Sequence, residues 1–228
     1  MDSEGRLEHF ICDSQMIGRK RWIGIASCVL VYCIWRYVAC PYLQPIQKRM
    51  FVGLEGGPRQ FVTHLMLYNS LWYAALSVLA VFILVKIKIF RSPSMKWNVK
   101  PAVLQGFLVG LVILGLSIGF QLLMGSRFHL NFDPWEYAGN LFSNAYEEIF
   151  YRGFIFVGLL YFSRRGWAAA VLSGLLFGLT HTQYSLGMQF GVAVVGSVFG
   201  LLYFRTGNLV APWIAHQMVD LLGTFFMM

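Results

Sequence analysis

Three pairs of residues, each spaced four positions apart, carry the side chains that could do chemistry in this chain of 228 residues. They are Glu148 with Arg152, Phe177 with His181, and His216 with Asp220, and Glu147 precedes the first pair. Residues four apart share one face of an α-helix. A glutamate beside an imidazole can deprotonate a water molecule, and a second histidine can stabilise an oxyanion. This combination favours peptide-bond hydrolysis.

The adjacent glutamates are predicted to differ in role. Their surroundings in the sequence are apolar, and a charged residue at the centre of a bilayer costs roughly 2.5–3.5 kcal/mol. Glu148 is followed one helical turn later by Arg152, so the two are predicted to form an ion pair. Glu147 points about 100° away around the helix and lacks that partner. Glu147 is therefore the candidate general base.

The composition indicates an integral membrane protein. Charged residues make up 12% of the chain, whereas soluble domains contain about 25%. Seven apolar stretches could each cross a hydrocarbon core about 30 Å thick. They are residues 22–40, 64–85, 102–124, 135–162, 167–181, 186–204 and 209–228. The predicted fold is all-α, a polytopic membrane helix bundle of about seven transmembrane helices, whose fourth stretch is long enough to tilt or break.

The net charge of +8 is interpreted as a record of membrane topology and not of nucleic acid binding. With the N-terminus in the cytoplasm, the inner connectors hold 12 Lys and Arg residues and the outer connectors hold 4. This asymmetry follows the positive-inside rule and predicts a cytoplasmic N-terminus and an outer C-terminus. The polar residues then lie about 12 to 22 Å from the inner ends of their stretches, in one layer. The helices that carry them can therefore converge on one site.

The chain is predicted to consist of three parts. Residues 1–100 hold the N-terminal transmembrane helices and a cytoplasmic connector, residues 101–134 the third helix and an outer connector, and residues 135–228 the catalytic helix core. All four cysteines lie in the first forty residues, which argues against a cysteine nucleophile. Close helix packing is predicted from small residues at helical spacing. These are Gly174 and Gly178 on the fifth stretch, and Gly187, Gly191, Gly196 and Gly200 on the sixth.

The three motifs resemble, in order and spacing, those of the CPBP family (CAAX protease and bacteriocin-processing, also called Abi). The motifs are Glu147-Glu148-x-x-x-Arg152, Phe177-x-x-x-His181 and His216-x-x-x-Asp220. This family of intramembrane endopeptidases includes the type II CAAX prenyl endopeptidases. The resemblance covers roughly residues 135–225. It implies a multi-pass protein of a prokaryotic cell membrane that cleaves a membrane-associated peptide or protein, with lipidated substrates included.

The resemblance also implies a role for each matched position. Glu147 and His181 would activate water, and His216 with Asp220 would stabilise the oxyanion. Glu148 and Arg152 would form a supporting ion pair, and Phe177 would be a further supporting residue. The family has been described both as glutamic-type and as metal-dependent. In the second case a divalent metal such as Zn²⁺ is the cofactor, and Glu147, His181 and His216 are its candidate ligands.

The third motif departs from the family pattern, because it commonly ends in Asn and here ends in Asp220. An ionised aspartate cannot donate a hydrogen bond to an oxyanion. Asp220 must therefore be protonated, orient His216, or join His181 and Glu147 around a metal. Orientation of His216 is the favoured alternative.

Two other functions are compatible with the same residues. Intramembrane Glu and His also form proton relays in coupled transporters, although no paired broken helices are evident in the sequence. A non-catalytic membrane immunity or assembly factor would bind a membrane peptide without cutting it, and His181 would then only cap the short fifth helix. The predicted partners are a membrane-associated peptide or protein and membrane lipids, and no nucleic acid.

Overall fold

The computed structural model describes residues 99–130 and 134–221, and within these ranges the chain is helical and contains no β-strand. The helices are α1, Val99–Leu123; α2, Pro134–Glu148; a π-helix, Ile149–Phe156; α3, Val157–Ser163; α4, Gly166–Thr180; α5, Leu186–Thr206; and α6, Val210–Val219. The all-α fold class is thereby confirmed for the described residues. The predicted stretches 22–40 and 64–85 and the end of stretch 209–228 lie outside those residues, as do the cysteines.

Two of the described helices, α1 and α5, are long and apolar enough to cross a membrane. Their outer faces carry large exposed apolar side chains, such as Leu116 and Phe120 on α1 and Phe190 on α5. Such side chains are stable in contact with lipid and costly in contact with water. The shorter α4 is also apolar over its whole length.

The long fourth stretch neither breaks nor ends at its centre. Its winding changes instead, from α2 through the π-helix Ile149–Phe156 to α3, without an interruption. The segment contains no proline, so every residue keeps its backbone donor and the ladder can widen to i→i+5 bonds. Residues Phe150 to Phe156 are all buried, so neighbouring helices surround this segment on every side. A π-helical segment of this kind is frequent at functional sites.

The helices α4 and α5 pack closely because glycines remove side-chain bulk where they meet. A Cβ atom added at Gly174 would collide with Ser197, one at Gly178 would collide with Gln189 and Ala193, and one at Gly200 would lie 3.0 Å from Cβ of Ala170. The predicted close packing is thus present at these positions and at Gly196. A Cβ atom added at Gly187 or Gly191 would have no neighbouring atom within 4 Å, although Gln189 between them contacts Gly178. These two glycines therefore lie on a face of α5 that does not pack against α4.

A second glycine contact joins α1 to α6. A Cβ atom at Gly106 would collide with the carbonyl oxygen of Ala211, and one at Gly110 would lie 2.9 Å from Cα of Ala215. Ala211 and Ala215 form a buried cluster with Ala102, Phe199 and Leu202. Through this contact α1 supports the outer side of α6, the helix that carries His216.

Candidate active site

Glu148 lies at the centre of the polar cluster and contacts two different partners. Its Oε2 atom is 3.1 Å from Nε of Arg152, and its Oε1 atom accepts a hydrogen bond of 2.8 Å from Nδ1 of His216. Glu148 and Arg152 are 1% and 0% exposed. The carboxylate and the guanidinium are not aligned as a hydrogen bond, so their attraction is Coulombic. The predicted Glu148–Arg152 ion pair is therefore present, and it extends to the histidine of a distant helix.

Arg152 is held on its other sides by a carbonyl group and two aromatic rings. Its Nη2 atom donates to the carbonyl oxygen of Gly196 over 2.9 Å. The guanidinium carbon lies 4.8 Å from the ring centre of Phe177 and 5.4 Å from that of Phe199. Cation–π contacts of this length stabilise a cation that has lost its water. Phe177 thus belongs to the packing around Arg152, as its predicted supporting role requires.

His181 lies directly after α4 and is fixed by a backbone carbonyl. Its backbone N–H donates to Gly178, and its side-chain Nδ1 lies 2.9 Å from the carbonyl oxygen of Phe177. A carbonyl only accepts, so Nδ1 carries a hydrogen and Nε2 of the neutral ring has a free lone pair. The ring of His181 stacks on Tyr184 with centroids 5.8 Å apart and an angle of 13°. His181 therefore caps α4 and also presents a proton-accepting nitrogen.

Glu147 lies on a different side of the helix from Glu148 and has a looser environment. Its side chain is 22% exposed, and its Oε2 atom is 4.0 Å from Nε2 of His216. The hydroxyl of Tyr146 approaches Oε1 of Glu147 only at 3.5 Å. Glu147 also interacts electrostatically with His181 and Asp220. It is the more accessible of the two glutamates, and charged or ionisable groups of three helical segments surround it.

Asp220 does not make the close contact to His216 that the sequence interpretation favoured. Its Oδ1 atom is 3.9 Å from Nε2 of His216, whereas Glu148 binds the opposite ring nitrogen at 2.8 Å. The other carboxylate oxygen, Oδ2, accepts a 2.6 Å hydrogen bond from Nδ2 of Asn144. Glu148 is thus the carboxylate that orients His216. It belongs to α2 and binds the ring nitrogen opposite to the one that Asp220 faces.

The interpretation of the sequence did not identify several polar residues that lie at the site. Asn144 also donates to Oε1 of Gln217 over 3.1 Å, and Trp213 Nε1 donates to the carbonyl oxygen of Leu141 over 2.9 Å. These bonds join α2 to α6 near the candidate catalytic groups. Asn144 lies four positions before Glu148, so the same spacing rule that selected Arg152 could have identified it.

Tyr184 is a further missed residue, and it lies in the α4–α5 loop beside His181. Burial raises the pKa of its phenol, and the negative charges of Asp220 and Glu147 raise it further. The phenol stays protonated at neutral pH, as in any tyrosine whose pKa is not lowered, and it can donate a hydrogen bond. No spacing pattern in the sequence would have placed it at the site.

The acidic and imidazole groups do not form a metal site of ordinary geometry. In residues 99–130 and 134–221, no three His, Cys, Asp or Glu side chains converge so that they could hold one ion. The candidate ligands Glu147, His181 and His216 therefore do not fit a bound metal in this arrangement.

The comparisons with known proteins agree with the three motifs. Residues 134–222 match the family described as type II CAAX prenyl endopeptidase Rce1-like, and this range includes every candidate site residue. The match confirms the family resemblance that the motifs indicated, and it supports a membrane protein with protease chemistry. Searches of curated proteins and of solved structures returned no match.

Proposed function

We propose that this chain, whose residues 134–222 match the type II CAAX prenyl endopeptidase Rce1-like family, hydrolyses a peptide bond within the membrane. The observation that carries the proposal is the division of labour between the adjacent glutamates. Glu148 is buried and paired with Arg152 and His216, whereas Glu147 is accessible beside His216 and His181. A cluster that only stabilised the fold would have no use for an accessible carboxylate without a close partner.

The reaction begins with a water molecule bound between Glu147 and His181. The Glu147 carboxylate accepts a proton from this water, helped by the free Nε2 lone pair of His181, and the resulting hydroxide attacks the carbonyl carbon. The carbonyl π-bond opens and places a negative charge on the oxygen. The proton held by Glu147 then passes to the leaving nitrogen as the C–N bond breaks. The first products are a carboxylic acid and an amine, and transfer of the acid's proton to the amine gives a carboxylate and an ammonium group.

His216 is oriented to stabilise the oxyanion. Its Nδ1–H donates to Glu148, so its Nε2 atom faces the side of the ring where Glu147 and Asp220 lie. When both ring nitrogens carry hydrogen, Nε2–H can donate to the developing oxyanion. Removal of one such donor typically costs about 10²–10³-fold in rate. Arg152 does not touch the substrate in this mechanism; it stabilises the charge of Glu148, which holds the ring.

The substrate is a peptide or protein that is itself anchored in the membrane. A site that is built on apolar helices is reached most easily by a peptide whose anchor already lies in the bilayer. Because the matched family is named for prenylated CAAX ends, a peptide with a prenylated cysteine near its C-terminus is the first substrate to examine. The proposal also includes the location of the chain, as a multi-pass protein of a prokaryotic cell membrane with its N-terminus in the cytoplasm.

Mass spectrometry of membrane peptides tests the proposed function most directly. Cells that produce the wild-type chain are compared with cells that produce Glu147→Gln at the same level. A cleaved peptide present only with the wild type would identify both the substrate and the scissile bond. Ser143→Ala, which removes a hydroxyl bonded only within α2, should give the wild-type pattern. Identical peptides in wild-type and Glu147→Gln membranes would contradict an endopeptidase and favour a silent binding protein.

A further inference from the structure

Asn144 uses its amide group to hold two residues of α6. The Nδ2 atom lies 2.6 Å from Oδ2 of Asp220 and 3.1 Å from Oε1 of Gln217. An amide has two N–H donors, so each of these contacts can be a full hydrogen bond. Asn144 is buried, with only 3% of the residue exposed. Its donors are therefore committed to α6 and not to solvent or lipid.

The location of Asn144 connects it to both sides of the site. It precedes Glu148 by one helical turn on α2, and Glu148 holds Nδ1 of His216. Its partner Gln217 directly follows His216, and its partner Asp220 faces Nε2 of the same ring. The Asn144 amide thus holds the α6 residues around His216, while Glu148, one turn later on the same helix, holds the ring itself.

The hydrogen bond from Asn144 to Asp220 does more than hold α2 against α6. Besides the bonds of Asn144, three other hydrogen bonds join α2 to α6: Trp213 Nε1 donates to the carbonyl oxygen of Leu141, Gln217 Nε2 donates to that of Tyr137, and the Tyr137 hydroxyl donates to the carbonyl oxygen of Gln217. The Asn144–Asp220 bond, at 2.6 Å, is shorter than any of these and lies at the short limit of bonds to a charged acceptor. By restraining Oδ2, it leaves Oδ1 turned toward Nε2 of His216.

We propose that Asn144 is a positioning residue of the active site, which fixes the carboxylate of Asp220 relative to the oxyanion-stabilising face of His216. This inference rests on the proposed function, because it gives Asn144 a part in the same hydrolysis. Asn144 does not touch the reacting atoms. It acts through Asp220 and determines which carboxylate oxygen faces the ring.

A reciprocal exchange of the two side chains tests the proposal. The variants are Asn144→Asp, Asp220→Asn, the double exchange, Asn144→Leu, and Asn144→Leu with Asp220→Asn; Ser143→Ala is the control on the same helix. The probe is an internally quenched peptide with a farnesylated cysteine near its C-terminus. Values of kcat and KM are measured in detergent micelles, and the thermal midpoint of each variant is recorded beside them.

Asn144→Asp should lower kcat by about 10- to 100-fold with little change in KM, as loss of a group that orients an active-site residue usually does. In the double exchange, the new amide at position 220 donates to the new carboxylate at position 144, so kcat should recover. Asn144→Leu should lower kcat to a similar extent. Adding Asp220→Asn to Asn144→Leu should not restore kcat, because leucine cannot accept the hydrogen bond. A residue that only joined the helices would change the thermal midpoint and leave kcat per folded molecule unaltered.

Two results would overturn the inference. One is wild-type kcat in folded Asn144→Asp or Asn144→Leu, and the other is a double exchange no more active than Asn144→Asp. If Asn144→Asp does not fold, the double exchange is compared with Asn144→Leu/Asp220→Asn, and equal kcat values would contradict the proposal. Failure of the proposed function has a different signature. The wild type itself would then cleave nothing, whereas non-additive thermal midpoints would still report the Asn144–Asp220 bond.

Discussion

The cluster has a closed half and an open half, and the contrast between them explains why two glutamates stand side by side. The closed half consists of Glu148, Arg152 and the Nδ1 side of His216, with side chains that are almost completely buried. The open half consists of Glu147, His181 and Asp220, and the side chains of Glu147 and Asp220 are 22% and 26% exposed. Identical carboxylates therefore have different surroundings, because helix geometry directs Glu148 into a paired, buried environment and Glu147 toward the open half.

The largest expected effect comes from Glu147→Gln in the open half. The amide cannot accept a proton from water, so cleavage should fall by about 10²–10⁴-fold. The protein should still fold, because the nearest ion pair of Glu147 is a 4.0 Å contact to His216. Peptide cleavage and the thermal midpoint in micelles measure the two consequences separately. Full activity of this variant would refute the assignment of Glu147 as the base.

The corresponding change in the closed half, Glu148→Gln, should act on stability. It leaves the buried guanidinium of Arg152 without a counter-charge, which typically costs about 3–5 kcal/mol. Unfolding by titration with a denaturing detergent measures this loss, with Glu147→Gln as the matched control. If both variants unfolded at the same detergent fraction, the distinction between the two halves would be wrong.

A smaller effect is expected from the packing behind Arg152. In Gly196→Ala the new methyl group would lie 2.9 Å from Cδ1 of Phe177 and 3.3 Å from Nη2 of Arg152, so both must shift. Overpacking of this kind costs about 1–3 kcal/mol. Gly191→Ala on the same helix is the control, because no atom lies within 4 Å of its added methyl group. A lower thermal midpoint for Gly191→Ala than for Gly196→Ala would contradict this account.

The smallest effect is expected from Asp220→Asn. The new side-chain carbonyl can still accept from Asn144, and the new amide faces His216, so the arrangement is retained. We expect cleavage to change by less than about fivefold, which corresponds to under about 1 kcal/mol in activation free energy. A loss comparable to that of Glu147→Gln would show that the negative charge of Asp220 is required.

The sequence predicts the contacts that lie within one helix better than those between helices. The Glu148–Arg152 pair follows from four-residue spacing. For contacts between helices, the glycine periodicity identifies the packing residue Gly174 but also selects Gly187, where an added Cβ atom would meet no neighbour. The bond from His216 to Glu148 joins residues 68 positions apart, so no local pattern could distinguish Glu148 from Asp220 as its partner. The π-helix was also beyond prediction, because its wider ladder depends on the helices that pack around it.

The π-helix also determines how far α2 and α3, the two ends of the long fourth helix, are rotated relative to each other about the helix axis. The i→i+5 ladder holds more residues per turn than an α-helix, so Ile149–Phe156 contributes less rotation than eight α-helical residues would at about 100° each. If the same residues were wound as a regular α-helix, the glutamates upstream would turn relative to α3, and Glu147 would leave the side shared with His181. The winding of this segment, as much as the identity of its residues, sets the direction in which Glu147 points.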